Sequence, residues 1–194
     1  MTDKGTTSVV LVGVGGQGIL LASEIVARAA MHAGFDVKTN EVHGMAQRGG
    51  SVIAQIRYGQ KVNSPTVQPG TASVLGSLER IEALRYYNYL KPGGLAVVNL
   101  QMMVPVTVSM GAAQYPKDSI DRLHAAFDNL VSFDAGQKAV EIGNIRTANV
   151  IIVGAISNGL DIPVESWEEA IKTSVKPKFV DLNLKAFALG RSIK

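Results

Sequence analysis

The apolar run Ser8-Val-Val-Leu-Val-Gly13 passes directly into Gly13-Val-Gly15-Gly16-Gln17-Gly18 and from there into a helical pattern. Few folds accept that order. A short continuous apolar run is what a strand shows when a parallel sheet buries both its faces. Glycines then allow positive φ and close backbone approach. Leu20, Leu21, Ile25, Val26 and Ala29 recur at helical spacing between Ile19 and Ala33, and Gly34 stops the helix. Asp36 to Asn40 predicts a second strand, so the first forty residues read as a βαβ unit. Ser51 to Tyr58, β-branched and alternating, predicts a third strand closed by Gly59. Gln60 to Thr71 is aperiodic and holds two prolines, a loop or crossover.

The remaining chain continues the alternation. Ala72 to Ser77 predicts a short strand, Leu78 to Leu90 a helix, Lys91-Pro-Gly-Gly94 a turn and Leu95 to Leu100 a buried strand. Val104 to Val108 reads as a further strand, demoted towards an edge by Pro105. Asp118 can cap a helix through Leu130, and Val131 to Asp134 suits a last strand. Asn149 to Gly159 predicts a buried helix. Ser166-Trp-Glu-Glu169, after Pro163, has the form of a capping box opening a helix to about Val175, and Asp181 to Arg191 predicts a final helix. With no repeat, low-complexity tract or linker, residues 1–194 read as one domain. The expected fold is α/β: a three-layer α/β/α sandwich with a mostly parallel, Rossmann-like sheet.

Composition narrows the function classes. Hydrophobic residues make up 46% and charged residues 18%, against a usual charged share of about 25%, so part of the surface is expected to be covered by something else. Nineteen basic and sixteen acidic residues give a net charge of +3, too weak for a nucleic-acid binder. The absence of cysteine excludes disulfides, thiolate zinc and any iron–sulfur cluster ligated by this chain. His32 and His124 read as ordinary helix residues, no two histidines stand at metal-ligand spacing, and no Gly-x-Ser-x-Gly elbow exposes a nucleophile. Met1 to Ser8 is short and polar, and no stretch approaches the roughly 18 apolar residues of a membrane span. A soluble cytoplasmic protein is expected.

Two segments carry the functional signal. Gly13-x-Gly15-x-x-Gly18 lies where a dinucleotide fingerprint lies, ahead of a helix whose free N–H groups and positive dipole end favour an anion. Glu41 could then serve as the ribose acid. The same residues also suit a tight strand–helix turn with no ligand. The Gln17 amide could meet a phosphate or a partner chain. The second segment, Glu41-Val-His43-Gly-Met-Ala-Gln47-Arg48-Gly49-Gly50, reads as a loop, and loops that concentrate Arg, His and Gly usually contact something. Arg48 beside two glycines could offer a planar donor fork to a phosphate or carboxylate, or pair locally with Glu41. Both loops are expected at the carboxyl edge of adjacent strands. Asn99 either faces that edge or forms a turn. Tyr86, Tyr87 and Tyr89 cannot all face one core, so some are expected to rest on a neighbouring subunit, whereas Trp167 reads as core.

Gly-Val-Gly-Gly-Gln-Gly-Ile-Leu-Leu-Ala22 followed by Glu-Val-His-Gly-Met-Ala-Gln-Arg-Gly-Gly-Ser51 resembles the gamma domain shared by 2-oxoacid:ferredoxin oxidoreductases, most closely the smaller (beta) subunit of indolepyruvate ferredoxin oxidoreductase. The resemblance continues through Leu-Lys-Pro-Gly-Gly94, Asn149 to Ala155, and Asn183 to Gly190, and so spans nearly the whole chain. It departs at Ser73, where relatives often carry aspartate. The resemblance implies a subunit of a complex that oxidatively decarboxylates a 2-oxoacid with coenzyme A, giving an acyl-CoA, carbon dioxide and reduced ferredoxin.

Thiamine diphosphate, magnesium and 4Fe–4S clusters are then expected in a larger partner subunit, because this chain has no cysteine and no Gly-Asp-Gly. Coenzyme A is the expected cosubstrate. Gly13, Gly15, Gly16, Gln17, Gly18, His43, Gln47, Arg48, Gly49 and Gly50 are expected to hold it or to line the subunit interface. Ferredoxin would be reached through the complex, and the isolated chain would be inactive and self-associate. The competing readings are a self-sufficient oxidoreductase binding NAD or FAD at the first glycine loop, and a non-catalytic regulatory protein.

Overall fold

The computed structural model describes residues 5–44, 49–104, 108, 110–111 and 114–194. Six strands form one sheet in the order β2-β3-β1-β4-β5-β6: β1 (Thr7–Val14), β2 (Asp36–His43), β3 (Ser51–Gly59), β4 (Ala72–Ser77), β5 (Leu90–Asn99) and β6 (Leu130–Phe133). β1, β4, β5 and β6 pair in parallel. β3 runs antiparallel to both β1 and β2. The α/β fold with a mostly parallel sheet is therefore as expected, with one correction. β2 does not neighbour β1, because β3 lies between them. Burial explains the order: Val52 to Ile56 is buried throughout, whereas β2 alternates Asp, Lys, Asn and Glu and stays largely exposed. A strand buried on both faces belongs inside, and a charged one suits the edge.

One face of the sheet carries α1 (Ile19–His32), α4 (Ala135–Glu141), α5 (Ala148–Ile156), α6 (Val164–Ser174) and α7 (Val180–Arg191); their apolar residues join Val9, Leu11, Ile56, Val74 and Val97 in the larger core. The other face carries α2 (Arg80–Arg85), α3 (Ser119–Ala126) and Val67 of the 60–71 loop, packed on Val10, Val12, Leu75 and Val98. Every residue of α5 from Asn149 to Ile156 is buried, which is why its sequence lacks a polar face. Trp167 is fully buried and stacks on Phe187. α1 ends as predicted: Gly34 takes φ 87°, and the Gly34 and Phe35 amides bond Met31 O and Ala30 O.

Four local expectations are corrected. The helix expected over Leu78–Leu90 is only α2 and a 3-10 turn at Tyr87–Tyr89, because extended Glu79 caps α2 through the Ile81 and Glu82 amides. Tyr86 and Tyr89 pack on the core and Tyr87 is exposed. Lys91-Pro-Gly-Gly94 lies inside β5 as an irregularity, the pairing stepping from Ala72↔Leu90 to Val74↔Leu95. α6 starts at Val164 behind Pro163, so Ser166 sits in its first turn and caps nothing. α4 was not expected; Asp134 caps it through the Gln137 amide. Residues 105–107 of the strand expected at Val104–Val108 lie outside the described residues.

Candidate functional site

The carboxyl ends of β1 and β2 and the start of β3 lie at one edge, since Val14 pairs with Ser51 and His43 with Val52. The two glycine loops meet there. The Gly15 amide donates to Gly50 O at 2.8 Å, and the Gly49 amide donates to Gly15 O at 3.3 Å. Gly16 and Gly18 take φ 104° and 81°, backbone that side-chain-bearing residues rarely adopt. Gly18 is the N-cap of α1 and no side chain caps that end, so the first-turn amides are free for an outside acceptor. A cleft of about 560 Å³ opens over them, lined by Gly15, Gly16, Gly18 and Leu20, with His43 and Val52 opposite. A Cβ on Gly16 would meet nothing within 4 Å, whereas one on Gly18 would come within 2.6 Å of Asn149 Nδ2. Asn149 donates to Gly18 O at 3.1 Å and so ties the loop to buried α5.

Gln17 and Asn99 form the floor of the edge. Gln17 Oε1 accepts from the Val14 amide at 2.8 Å, and its Nε2 donates to Leu78 O at 2.9 Å and Gln101 Oε1 at 3.1 Å. Asn99, buried, donates to the same Leu78 O and accepts from the Ala135 amide. These bonds join the ends of β1, β4, β5 and β6. The Gln17 amide is thus engaged within the chain, and Gly13 is required beside it, because a Cβ there would lie 2.8 Å from Gln17 Oε1. Gln17→Ala is expected to lower stability by about 2 kcal/mol, since it removes the acceptor of the Val14 amide and leaves the Leu78 carbonyl with Asn99 alone. Urea unfolding reads this, and an unchanged midpoint would contradict it.

Two buried carboxylates support the flanks. Glu82 accepts from Ser51, the first residue after the second loop, and from Arg85 Nε at 3.0 Å; Tyr86 OH lies 3.1 Å from Ser51 Oγ. Glu79 Oε1 accepts from Tyr115 OH at 2.8 Å and from the Met103 amide. Burial pushes the Tyr115 hydroxyl up to about 12, so it remains a donor to Glu79 at neutral pH. Neither glutamate was singled out by sequence. The available signal was two acids three apart at the start of a helix, followed by tyrosines.

The structure thus brings Gly13, Gly15, Gly16, Gln17, Gly18, His43, Gly49 and Gly50 to one edge. Gln47 and Arg48 lie outside the described residues. Glu41 is held by Ser23 Oγ of α1 at 2.6 Å. Asn99 does lie at this edge, and Ser73 accepts from Lys91 Nζ at 3.1 Å. Among the described residues no three His, Asp or Glu side chains gather as a metal site, and no helix is long and apolar enough to cross a membrane.

Residues 8–193 match the family model described as pyruvate ferredoxin/flavodoxin oxidoreductase. The chain belongs to this family. It is 47% identical over 188 residues to the indolepyruvate oxidoreductase subunit IorB of Pyrococcus horikoshii, covering 94% of this chain and 93% of that one. The fold matches the crystal structure of a keto/oxoacid ferredoxin oxidoreductase gamma subunit from Geobacter sulfurreducens with a TM-score of 0.71, at 24% identity and 96% coverage of both chains. It also matches, with a TM-score of 0.72 and 20% identity, 98% of this chain to 31% of a 2-oxoglutarate:ferredoxin oxidoreductase chain from Magnetococcus marinus. That structure contains 2-oxoglutarate, coenzyme A and succinyl-CoA. The family's members are subunits or segments of 2-oxoacid ferredoxin oxidoreductases, and this chain is such a subunit.

Proposed function

We propose that this chain is the non-redox subunit of an indolepyruvate (arylpyruvate) ferredoxin oxidoreductase, and that its glycine-loop edge holds the phosphates of coenzyme A beside a larger subunit. The observation that carries the reading is the pair of hydrogen-bonded glycine loops over the uncapped start of α1. Free first-turn amides, open space at Gly16 and the positive end of a 14-residue helix fit a phosphate group. Leu20 and Val52 line the same cleft with apolar surface suited to the rest of such a cosubstrate. The relative named for indolepyruvate, 47% identical over nearly full length, supports the substrate.

Nothing in the sequence fits thiamine diphosphate with its magnesium or a 4Fe–4S cluster, there being no cysteine and no Gly-Asp-Gly. Those groups, which supply the carbanion and electron-transfer chemistry, are assigned to the larger subunit. In this scheme the chain contributes binding and orientation: the loops fix the anionic end of coenzyme A, and Arg48 adds a guanidinium fork from the second loop.

Arg48→Ala tests the assignment. Truncation of an arginine that the sequence places in a loop should change stability by less than about 0.5 kcal/mol. Coenzyme A-dependent ferredoxin reduction by the reconstituted complex should fall roughly thirtyfold, about 2 kcal/mol, because a charged acceptor loses its fork. A lower melting temperature with unchanged specific activity would show that Arg48 staples its own loop instead.

A further inference from the structure

We infer that Glu82 is a positioning residue for coenzyme A: acting through Ser51, it sets the second glycine loop against the first, and the turn from Leu78 to Glu82 supports both loops. The inference rests on the proposed function and adds to it a residue that lies outside the cleft. Ser51 is where the second loop closes. Its carbonyl accepts from the Gly44 amide at 2.9 Å, and it pairs with Val14 at the end of β1. The Gly50 carbonyl, one residue earlier, receives the Gly15 amide at 2.8 Å. A shift of Ser51 therefore moves Gly50 and the bond that joins the two loops.

The Ser51 hydroxyl is held from two sides. It donates to Glu82 Oε2, and a hydroxyl has one proton, so the Tyr86 hydroxyl 3.1 Å away donates to it. Arg85 Nε donates to the other carboxylate oxygen, Oε1, at 3.0 Å. Glu82 is only 5% exposed. The backbone that carries it is also fixed, since Glu79 Oε2 accepts from the Ile81 amide at 2.6 Å and the Glu82 amide at 3.0 Å. At the start of the same turn the Leu78 carbonyl accepts from Gln17 of the first loop at 2.9 Å. One short stretch of chain thus holds the first loop by a carbonyl and the second by a carboxylate.

Stability alone accounts poorly for this arrangement. A buried carboxylate forfeits its hydration, and well-packed apolar residues commonly match buried ion pairs in stability. What a fully hydrogen-bonded carboxylate adds is a single position for its partners. Gly49 and Gly50 have no side chains by which packing could place them, so their position depends on the residue that follows. That residue is Ser51. An anion bound by backbone groups binds best when those groups are already in place, because no ordering cost is then paid on binding.

The test compares full-length variants in the reconstituted complex and as the chain alone. Ser51→Ala should raise the KM for coenzyme A about tenfold with kcat within about twofold. In the chain alone its Gly15 amide should exchange about tenfold faster or more, with Val10 in mid-β1 unchanged. Ser51→Thr, which keeps the hydroxyl, should restore both readings. Glu82→Gln keeps the volume but weakens the bond; it should raise KM by itself and add nothing to Ser51→Ala, because the two residues act as a unit. Additive losses in the double variant would mean that Glu82 does not act through Ser51 and would overturn the inference. A lower melting temperature for Ser51→Ala with KM and Gly15 exchange unchanged would also overturn it, leaving the network a structural one. The proposed function would still stand if Gly16→Asp raised KM beyond Gly16→Ala. Equal KM values for that pair as well would overturn both.

Discussion

Gly154→Val should lower the stability of the chain by about 4 kcal/mol, a large share of the 5–15 kcal/mol that holds a typical domain folded. Here α5 and α7 touch backbone to backbone. A Cβ on Gly154 would overlap the Phe187 carbonyl oxygen and come within 2.9 Å of Gly190 Cα. One on Gly190 would in turn overlap the Ile151 carbonyl oxygen. Backbone cannot rotate aside as a side chain can, so the helices must separate. The cost then spreads through the core that α5, α7 and the Trp167–Phe187 stack share. For a chain of this size the loss corresponds to a fall of roughly 8–16 °C in melting temperature. A melting point within about 2 °C of the unaltered chain would show that the helices pack less tightly than described.

The second large effect is functional and falls on Gly16. An aspartate there meets no steric obstacle, since its Cβ has open space, but it must adopt φ 104°. That strain costs about 1–2 kcal/mol, and Gly16→Ala carries the same strain without charge. Gly16→Asp additionally sets a carboxylate over the start of α1, against the phosphates proposed to bind there. Like-charge juxtaposition of this kind costs several kcal/mol, so the KM for coenzyme A should rise on the order of a hundredfold beyond the alanine variant. Equal KM values for the two variants would remove coenzyme A from this loop.

Much of this edge was legible in the sequence, and the reasons are local. β1 is a continuous apolar run, α1, β3 and the terminal helix are long and periodic, and Gly34 and Gly59 mark the ends of α1 and β3. The two glycine loops are visible because glycine and arginine cluster where nothing remains to be buried. Strand order was not visible from the βαβ pattern alone, although the difference in burial between β2 and β3 was already written in Asp36-Val-Lys-Thr-Asn-Glu against Val52-Ile-Ala-Gln-Ile. The bonds that brace the site were hidden, because Gln17 meets Leu78 and Gln101, and Asn149 meets Gly18, across 61 to 131 residues of chain. No propensity or spacing reports such contacts. Asn149 alone gave a hint, a single amide opening an otherwise apolar helix.

The most direct measurement of the central claim is reconstitution of the chain with its larger subunit, followed by ferredoxin reduction with indolepyruvate and coenzyme A. The account predicts turnover only when both chains and coenzyme A are present, with arylpyruvates preferred and no activity from this chain alone. Tight NAD or FAD binding by this chain together with activity independent of the larger subunit would contradict it.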